Sequence, residues 1–204
     1  MVRKINCLIL GISLCLFVMS CESEKEVSDD YMLCEMKGEL MMSAAKATWM
    51  YEGRVLNDFR VKDINGGEEN LSSLLDDEYK VIFVFSEHNC KVCVDNEVEK
   101  LADLASRIGG DRILILVQDG GLRQVLSYMI DRDIKTDVRL ISSDALGDIM
   151  KNENMPWGCV MKKDMRIENF FIPIKEIPHY NDVYHDMMYK RYFEEVKKIL
   201  IPLQ

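Results

Sequence analysis

The chain has 204 residues, 48% of them hydrophobic and 30% charged, and a formal net charge of −9. This length suits one domain with an N-terminal extension, and the composition is that of a folded protein. The acidic balance argues against nucleic acid and against an anionic membrane surface as binding partners. We therefore expect no nucleic-acid partner.

The first residues predict a processing signal that is not part of the fold. A short positive region at residues 3–4 precedes an apolar stretch over residues 8–19, which is short for a membrane span. The run Val18-Met19-Ser20-Cys21 then resembles the lipobox of bacterial lipoproteins, in which the cysteine after the cut receives the lipid. The resemblance implies removal of residues 1–20, lipid attachment at Cys21 and a place at the bacterial cell envelope. An ordinary secretory signal, with Cys21 incidental, is the alternative.

Residues 21–52 predict an acidic tether and a leading helix. Residues 22–30 are polar and acidic and contain nothing that could form a core. From Tyr31 to Met50, apolar residues recur at near-helical spacing. Cys34 lies on this predicted helix, and we expect it to be a small buried apolar residue and not a redox thiol.

Residues 53–204 predict one domain in which strands and helices alternate. The continuous apolar run from Val81 to Phe85 predicts a central strand buried on both faces. Strands that alternate with helices imply parallel pairing and an α/β sheet. The other predicted elements are an edge strand over residues 53–63, a turn at 64–67, a short helix at 71–75, a helix that ends at 109–110, a strand at 112–117, a helix at 122–134, a strand at 138–141, a short helix at 145–150, a hairpin formed by 159–161 and 166–171, and a last helix over 182–200 with Val183, Met187, Tyr192, Val196 and Ile199 on one face.

The run Cys90-Lys91-Val92-Cys93 lies between the Val81–Phe85 strand and the next predicted helix. Two thiols at this spacing can form and break a disulfide, and a helix N-terminus stabilises the thiolate of the first one. An exported protein works where disulfides are permitted, so the pair is able to cycle. A static bridge or a metal-binding dithiol is also compatible with the motif.

The order of these features resembles the thioredoxin fold, with parallel strands between helices, a CxxC at the first helix, Pro156 before a hairpin and a final helix. The likeness is greatest to the membrane-tethered thiol-disulfide oxidoreductases of the bacterial envelope, the TlpA/ResA-like branch that borders on the peroxiredoxins. It implies an α/β, thioredoxin-like fold, with a central mixed sheet flanked by helices and an N-terminal helical extension. It also implies disulfide exchange with protein or peptide thiols through a redox-active Cys90–Cys93 disulfide. No cofactor and no metal are then expected, and the electron donor stays unidentified.

The resemblance also assigns roles to single residues. Cys90 matches the attacking cysteine and Cys93 the resolving one, and Lys91 is expected to favour the Cys90 thiolate. Pro156 matches the cis-proline that faces the disulfide. The backbone of Met155 would then pair with an extended substrate segment.

The chain departs from the family near the dithiol. Val84 stands where thioredoxin has a buried acid, so the usual proton acceptor for Cys93 is missing there. Glu87 and His88 are possible substitutes, although residues of a solvated loop are expected at both positions. Cys159 is expected to be a buried strand cysteine, and a third thiol near the dithiol is the alternative.

Two other functions stay open from the sequence. A thiol peroxidase is one, although the proline and threonine that precede the reactive cysteine of peroxiredoxins do not precede Cys90. A non-catalytic thioredoxin-like binding module is the other. Val84 and the unusual dipeptide Lys91-Val92 make that module credible.

Overall fold

The computed structural model of the protein describes residues 31–118, 136–149 and 155–194. It divides into two compact units, residues 1–43 and 44–204. A helix, α1, covers residues 31–51, as the apolar spacing predicted. No helix within the described ranges is long and apolar enough to cross a membrane.

The described part of the first unit is the beginning of α1, whose apolar side chains are largely exposed. Met32 is 66% exposed and Met36 is 41% exposed, and Cys34 is an exposed free thiol. The expectation of a buried Cys34 is therefore wrong. Apolar spacing shows which residues share a helix face, but it does not show that another element covers that face.

The described residues of the second unit form a seven-stranded mixed sheet. The described elements that follow α1 include β1 Arg60–Lys62, β2 Glu68–Asn70, α2 Leu71–Leu74, β3 Lys80–Ser86, α3 Lys91–Ile108, β4 Ile113–Gln118, β5 Asp137–Ile141, β6 Trp157–Met161, β7 Glu168–Phe171 and α4 Pro178–Tyr192. The strands lie in the order β2-β1-β5-β4-β3-β6-β7.

The strand pairing confirms the predicted α/β, thioredoxin-like fold. β3 is parallel to β4, and β4 is parallel to β5, as expected for strands joined by crossovers. β6 is antiparallel to both β3 and β7. The chain therefore runs through a parallel β3-α3-β4 unit, then an antiparallel pair, and then a final helix, which is the order that the sequence predicted.

The core lies against β3 and β4, at the centre of the sheet. Every residue from Val81 to Phe85 is at most 4% exposed, and both faces of the strand are covered. Helix α3 packs its apolar face against this sheet and ends where Gly109 adopts a φ of 99°. A glycine takes that conformation at little cost, so the helix ends at the residue that the sequence indicated.

The predicted edge strand over residues 53–63 is only partly correct. Regular pairing is confined to β1, and Val55 makes an isolated bridge with Arg166. The segment before β1 bonds instead to the β6–β7 connection: Gly53 N–H donates to the Ile167 carbonyl, and Leu56 N–H donates to the Met165 carbonyl. Residues 53–56 therefore lie along the β6–β7 connection and not in line with β1.

The last two predicted helices also need correction. Residues 143–149 form successive turns and not a helix, and Gly147 among them has a φ of 63°. Helix α4 begins at Pro178, four residues earlier than predicted, and ends at Tyr192. The helix predicted at 122–134 and the end of the predicted 182–200 helix lie outside the described residues.

The inward face of α4 differs in part from the predicted one. Tyr192 is buried, as predicted, whereas Val183 and Met187 are 41% and 63% exposed. Asn181 and Met188 are the other buried residues of the helix. The predicted face is therefore correct only in part, because the spacing did not show that a polar residue, Asn181, is buried there.

Candidate active site

The connection between β3 and α3 places the CxxC motif at the end of the central strand. The loop that leaves β3 is closed by two hydrogen bonds: Ser86 N–H donates to Asn89 Oδ1 at 2.7 Å, and Asn89 N–H donates to the Ser86 carbonyl at 3.2 Å. Cys90 is the N-cap of α3, and Cys93 lies in its first turn. Both are free thiols, Cys90 half-buried and Cys93 buried.

The surroundings of Cys90 favour its thiolate. Partial burial raises the pKa of this thiol, but the opposing contributions are together larger, so its pKa lies below the ordinary value. They are hydrogen bonds from the Cys93 thiol and from the N–H groups of Cys93 and Val92, together with the positive charge of Lys175. A half-exposed thiol of this kind is suited to attack a disulfide.

The surroundings of Cys93 have the opposite effect. Burial, the hydrogen bond to Cys90 and the negative charge of the Cys90 thiolate raise the pKa of Cys93 to about 12. The backbone N–H of Lys175 donates to the Cys93 sulfur and offsets part of this rise, whereas the carboxylate of Glu176 adds to it. Cys93 is 4% exposed, so it must be deprotonated inside the protein before it can act as a nucleophile.

Lys175 belongs to a segment that the sequence did not associate with the site. It lies between β7 and α4, where Asn181 holds the neighbouring residue Ile174 by two hydrogen bonds. Ile174 N–H donates to Asn181 Oδ1 at 3.0 Å, and Asn181 Nδ2 donates to the Ile174 carbonyl at 3.2 Å. This segment carries no sequence motif. It comes close to the dithiol only in the folded chain.

Lys91, which was expected to favour the Cys90 thiolate, forms an ion pair with Asp95 on the same helix. Its Nζ lies 2.6 Å from Asp95 Oδ2. Spacing of four residues allows this pairing within α3. Lys175 is the cation that the structure identifies as acting on Cys90.

Met155 and Pro156 lie at the same end of the sheet as the dithiol. Val84, near the end of β3, pairs with Trp157, the first residue of antiparallel β6. Pro156 directly precedes β6 and is buried. The expected cis bond is absent, since none of the peptide bonds between the described residues is cis, and the bond before Pro156 is trans. Trans is the lower-energy form of such a bond. Substrate binding by Met155 and Pro156 stays a prediction.

Two loop residues and a strand cysteine were also considered from the sequence. Glu87 and His88 are exposed, with side chains 52% and 76% accessible, as expected for a solvated loop. Cys159 is 0% exposed, as expected for a strand cysteine, and burial raises its pKa. Trp157 stacks on Phe170 within the core, with ring centroids 5.2 Å apart. Cys21 lies outside the described residues, so lipid attachment there stays a prediction.

The described residues contain no group of three or more His, Cys, Asp or Glu side chains placed to hold a metal ion.

The sequence did not single out one further charged residue near the motif. Glu97, one turn after Cys93 on α3, is 3% exposed and pairs with His185. An acid at an inward position of an amphipathic helix is the only sequence signal that pointed to it.

Comparisons with protein-family models and with curated proteins each find no match. Among solved structures, the chain is similar to the peroxidoxin BcpB from Mycobacterium tuberculosis, at 19% identity over 69% of this chain and 97% of that one, with a TM-score of 0.49. It is also similar to a thiol:disulfide interchange protein from Bacteroides sp., at 14% identity over 69% and 90% of the two chains, with a TM-score of 0.48. A thioredoxin-family thiol:disulfide interchange protein from Chlorobium tepidum matches at 14% identity over 67% and 96%, with a TM-score of 0.48.

Proposed function

We propose that the protein is a thiol-disulfide oxidoreductase that exchanges disulfides with protein or peptide thiols through Cys90 and Cys93. The observation that supports this function is the asymmetry of the two thiols. Cys90 is half-exposed and its pKa is lowered, whereas Cys93 is buried and its pKa is raised to about 12. A static structural bridge needs no such difference between its two sulfurs.

The asymmetry assigns one chemical role to each thiol. The Cys90 thiolate attacks a sulfur of the substrate disulfide, forms a mixed disulfide and releases the first substrate thiolate. Cys93 then loses its proton and attacks the Cys90 sulfur. The bond between Cys90 and the substrate breaks, the second substrate thiolate leaves, and Cys90 and Cys93 are joined as a disulfide. An external thiol donor restores the dithiol, so the redox-active disulfide is the only redox group that the cycle uses.

The setting that we propose for this exchange is the bacterial cell envelope, with the chain held to a membrane by lipid on Cys21. The lipobox-like run before Cys21 and the acidic tether after it support this proposal. Metabolic labelling of cells with radioactive palmitate tests it, because the label should enter the parent chain and not the Cys21→Ser variant. Equal labelling of the two chains, or no label in the parent, would count against a lipid anchor on Cys21.

Reduction of insulin disulfides, with dithiothreitol as electron donor, tests the proposed reaction. The parent protein should accelerate the reduction, and Cys90→Ser should lower the rate to that of dithiothreitol alone, because the attacking sulfur is gone. Cys34→Ser is the matched control, since Cys34 lies in the other unit of the chain. Equal rates for the parent and Cys90→Ser would favour a non-catalytic binding module.

A further inference from the structure

Glu97 and His185 form a buried contact between α3 and α4 that the proposed reaction does not use. Oε1 of Glu97 lies 2.6 Å from Nε2 of His185, and the two side chains are 3% and 13% accessible. Their other polar atoms, Glu97 Oε2 and His185 Nδ1, are buried and have no hydrogen-bond partner among the described residues. A buried polar pair with unpaired atoms adds little net stability, but its directional bond can specify how two helices meet.

The same two parts of the chain also meet at the dithiol. Cys93 lies one helical turn before Glu97 on α3, and both side chains are buried. The backbone N–H of Lys175, in the connection that leads into α4, donates to the Cys93 sulfur. Neighbouring turns of α3 therefore bond to two points of one continuous segment, which runs from Lys175 to His185.

Asn181 joins the two ends of that segment. It lies one turn before His185 on α4 and bonds to both backbone groups of Ile174, at 3.0 and 3.2 Å. Lys175 is the next residue after Ile174, so its place beside the dithiol follows from the place of α4. A shift of α4 along α3 would carry Lys175 with it.

Several other contacts between α4 and α3 are apolar or exposed. Met188 and Tyr192 are buried in the apolar core, and apolar packing specifies register less sharply than a directional polar contact does. Lys100 and Asp182 form an ion pair whose side chains are 29% and 58% accessible. An exposed ion pair of this kind contributes little to stability.

Tyr184 fixes α4 to a different element. Its hydroxyl donates to the Asn169 carbonyl at 2.7 Å, and its ring stacks on Phe171 with centroids 3.7 Å apart. Both partners belong to β7, whereas the dithiol lies at the start of α3. The bond between Glu97 and His185 acts instead on the position of α4 along α3.

We propose that Glu97 and His185 are positioning residues, whose bond sets the register of α4 along α3. That register keeps Lys175 beside the dithiol, where its cation favours the Cys90 thiolate. Glu97 and His185 act through Lys175 and not by contact with the reacting sulfurs. The inference rests on the proposed function, since the thiol that it concerns is the proposed nucleophile.

Replacement of the pair by apolar side chains tests this role. The double variant Glu97→Met with His185→Leu removes the directional bond. Apolar side chains in place of a buried polar pair often leave stability unchanged or raise it, so the variant should fold. The measurement is the pKa of Cys90, taken from the pH profile of alkylation by iodoacetamide.

The assay has to report on Cys90 alone. Cys93 and Cys159 are buried. Cys21→Ser and Cys34→Ser, in the chain without residues 1–20, remove the remaining thiols. The midpoint of the profile then gives the pKa of Cys90, because the thiolate is the form that reacts.

We expect the double variant to raise the pKa of Cys90, by up to the shift that Lys175→Gln produces. It should add no further rise when Lys175→Gln is already present, because the displaced cation is then missing. Loss of the Glu97 carboxylate has the opposite direct effect, since removal of a nearby negative charge lowers the pKa of a thiol. A rise therefore reports loss of position and not loss of charge.

Three further variants provide a rescue and two controls. His185→Gln keeps a side-chain N–H that can donate to Glu97, so the pKa of Cys90 should stay at the parent value. Lys100→Gln breaks the exposed ion pair between the same two helices and should also leave that pKa unchanged. Tyr184→Phe removes the bond from α4 to β7, and we expect no change there either.

Three outcomes would overturn the inference. The pKa of Cys90 could stay unchanged or fall in a double variant with the parent's urea midpoint, the rise could persist in full beside Lys175→Gln, or Tyr184→Phe could raise the pKa equally. If the double variant does not fold, His185→Phe gives the same test, since it removes the bond and keeps a ring against Phe171.

Failure of the proposed function gives a different result. A parent chain that does not accelerate the reduction of insulin would refute disulfide exchange, whatever the pKa of Cys90 in these variants. An active parent in which the double variant leaves that pKa unchanged would refute the positioning role alone.

Discussion

At the scale of single residues, the reactivity of Cys90 depends on a charge that comes from far along the chain. The pKa of Cys90 is lowered by donors within its own helix turn and by the cation of Lys175. The helix donors accompany any cysteine at an N-terminus. Lys175 comes from a separate segment, and its side chain is 44% accessible, so salt screens its effect.

We expect Lys175→Gln to raise the pKa of Cys90, because the substitution removes the cation and keeps the backbone N–H that contacts Cys93. The rate of alkylation by iodoacetamide follows the thiolate fraction, so its midpoint should move to higher pH. The shift should shrink at high salt. Lys91→Gln is the matched comparison, since Lys91 pairs with Asp95. A larger shift for Lys91→Gln than for Lys175→Gln would contradict the conclusion that Lys175 is the cation that lowers the pKa of Cys90.

The sequence predicted the reacting residues but not those that tune them. Cys90 and Cys93 are local to one helix turn, so their spacing is visible in the chain. Lys175 acquires its effect on Cys90, and Glu97 its buried partner His185, through contacts that only the folded chain makes. No local pattern distinguishes Lys175 from other surface lysines, and Glu97 resembles any acid on an amphipathic helix until His185 is found opposite it.

At the scale of elements, the connection between β7 and α4 is held in position by one buried amide. Asn181, 4% exposed, bonds to both the N–H and the carbonyl of Ile174. The next residue donates its N–H to the Cys93 sulfur. The start of α4 therefore fixes the wall of the site that faces the dithiol.

Replacement of Asn181 by Ala should lower the free energy of unfolding by about 1–3 kcal/mol for each Ile174 backbone group that is left unpaired. Urea denaturation of the reduced protein measures this loss. Asn96→Ala, at an exposed position of α3, serves as the control. An unfolding midpoint for Asn181→Ala equal to that of the control would show that Ile174 finds other partners.

The elements that the sequence predicted well are those with a strong local signal. The apolar run of β3 and the glycine after α3 specify their structures without help from the rest of the chain. The inner face of α4 was predicted only in part, because it also carries Asn181 and His185, whose polar groups bond to Ile174 and Glu97. Residues 143–149 were misjudged because Gly147, with a φ of 63°, favours a turn over a continuing helix.

At the scale of the whole second unit, the sheet order brings separate parts of the chain to one end of the central strand. β3 leads into the dithiol, and antiparallel β6 begins beside the end of β3. The connection after β7 supplies Lys175. The order of elements was predictable from the sequence, since it follows from the alternation of strand and helix patterns. The contacts made at that end of the sheet were not predictable from the sequence.

The central claim is that the Cys90–Cys93 pair cycles between dithiol and disulfide, and its reduction potential tests this most directly. Equilibration with defined ratios of oxidised and reduced dithiothreitol or glutathione, followed by alkylation and mass measurement, gives the fraction of disulfide. We predict a potential between about −120 and −270 mV, the range of cycling dithiols. A potential below about −300 mV, typical of structural disulfides, would contradict the account.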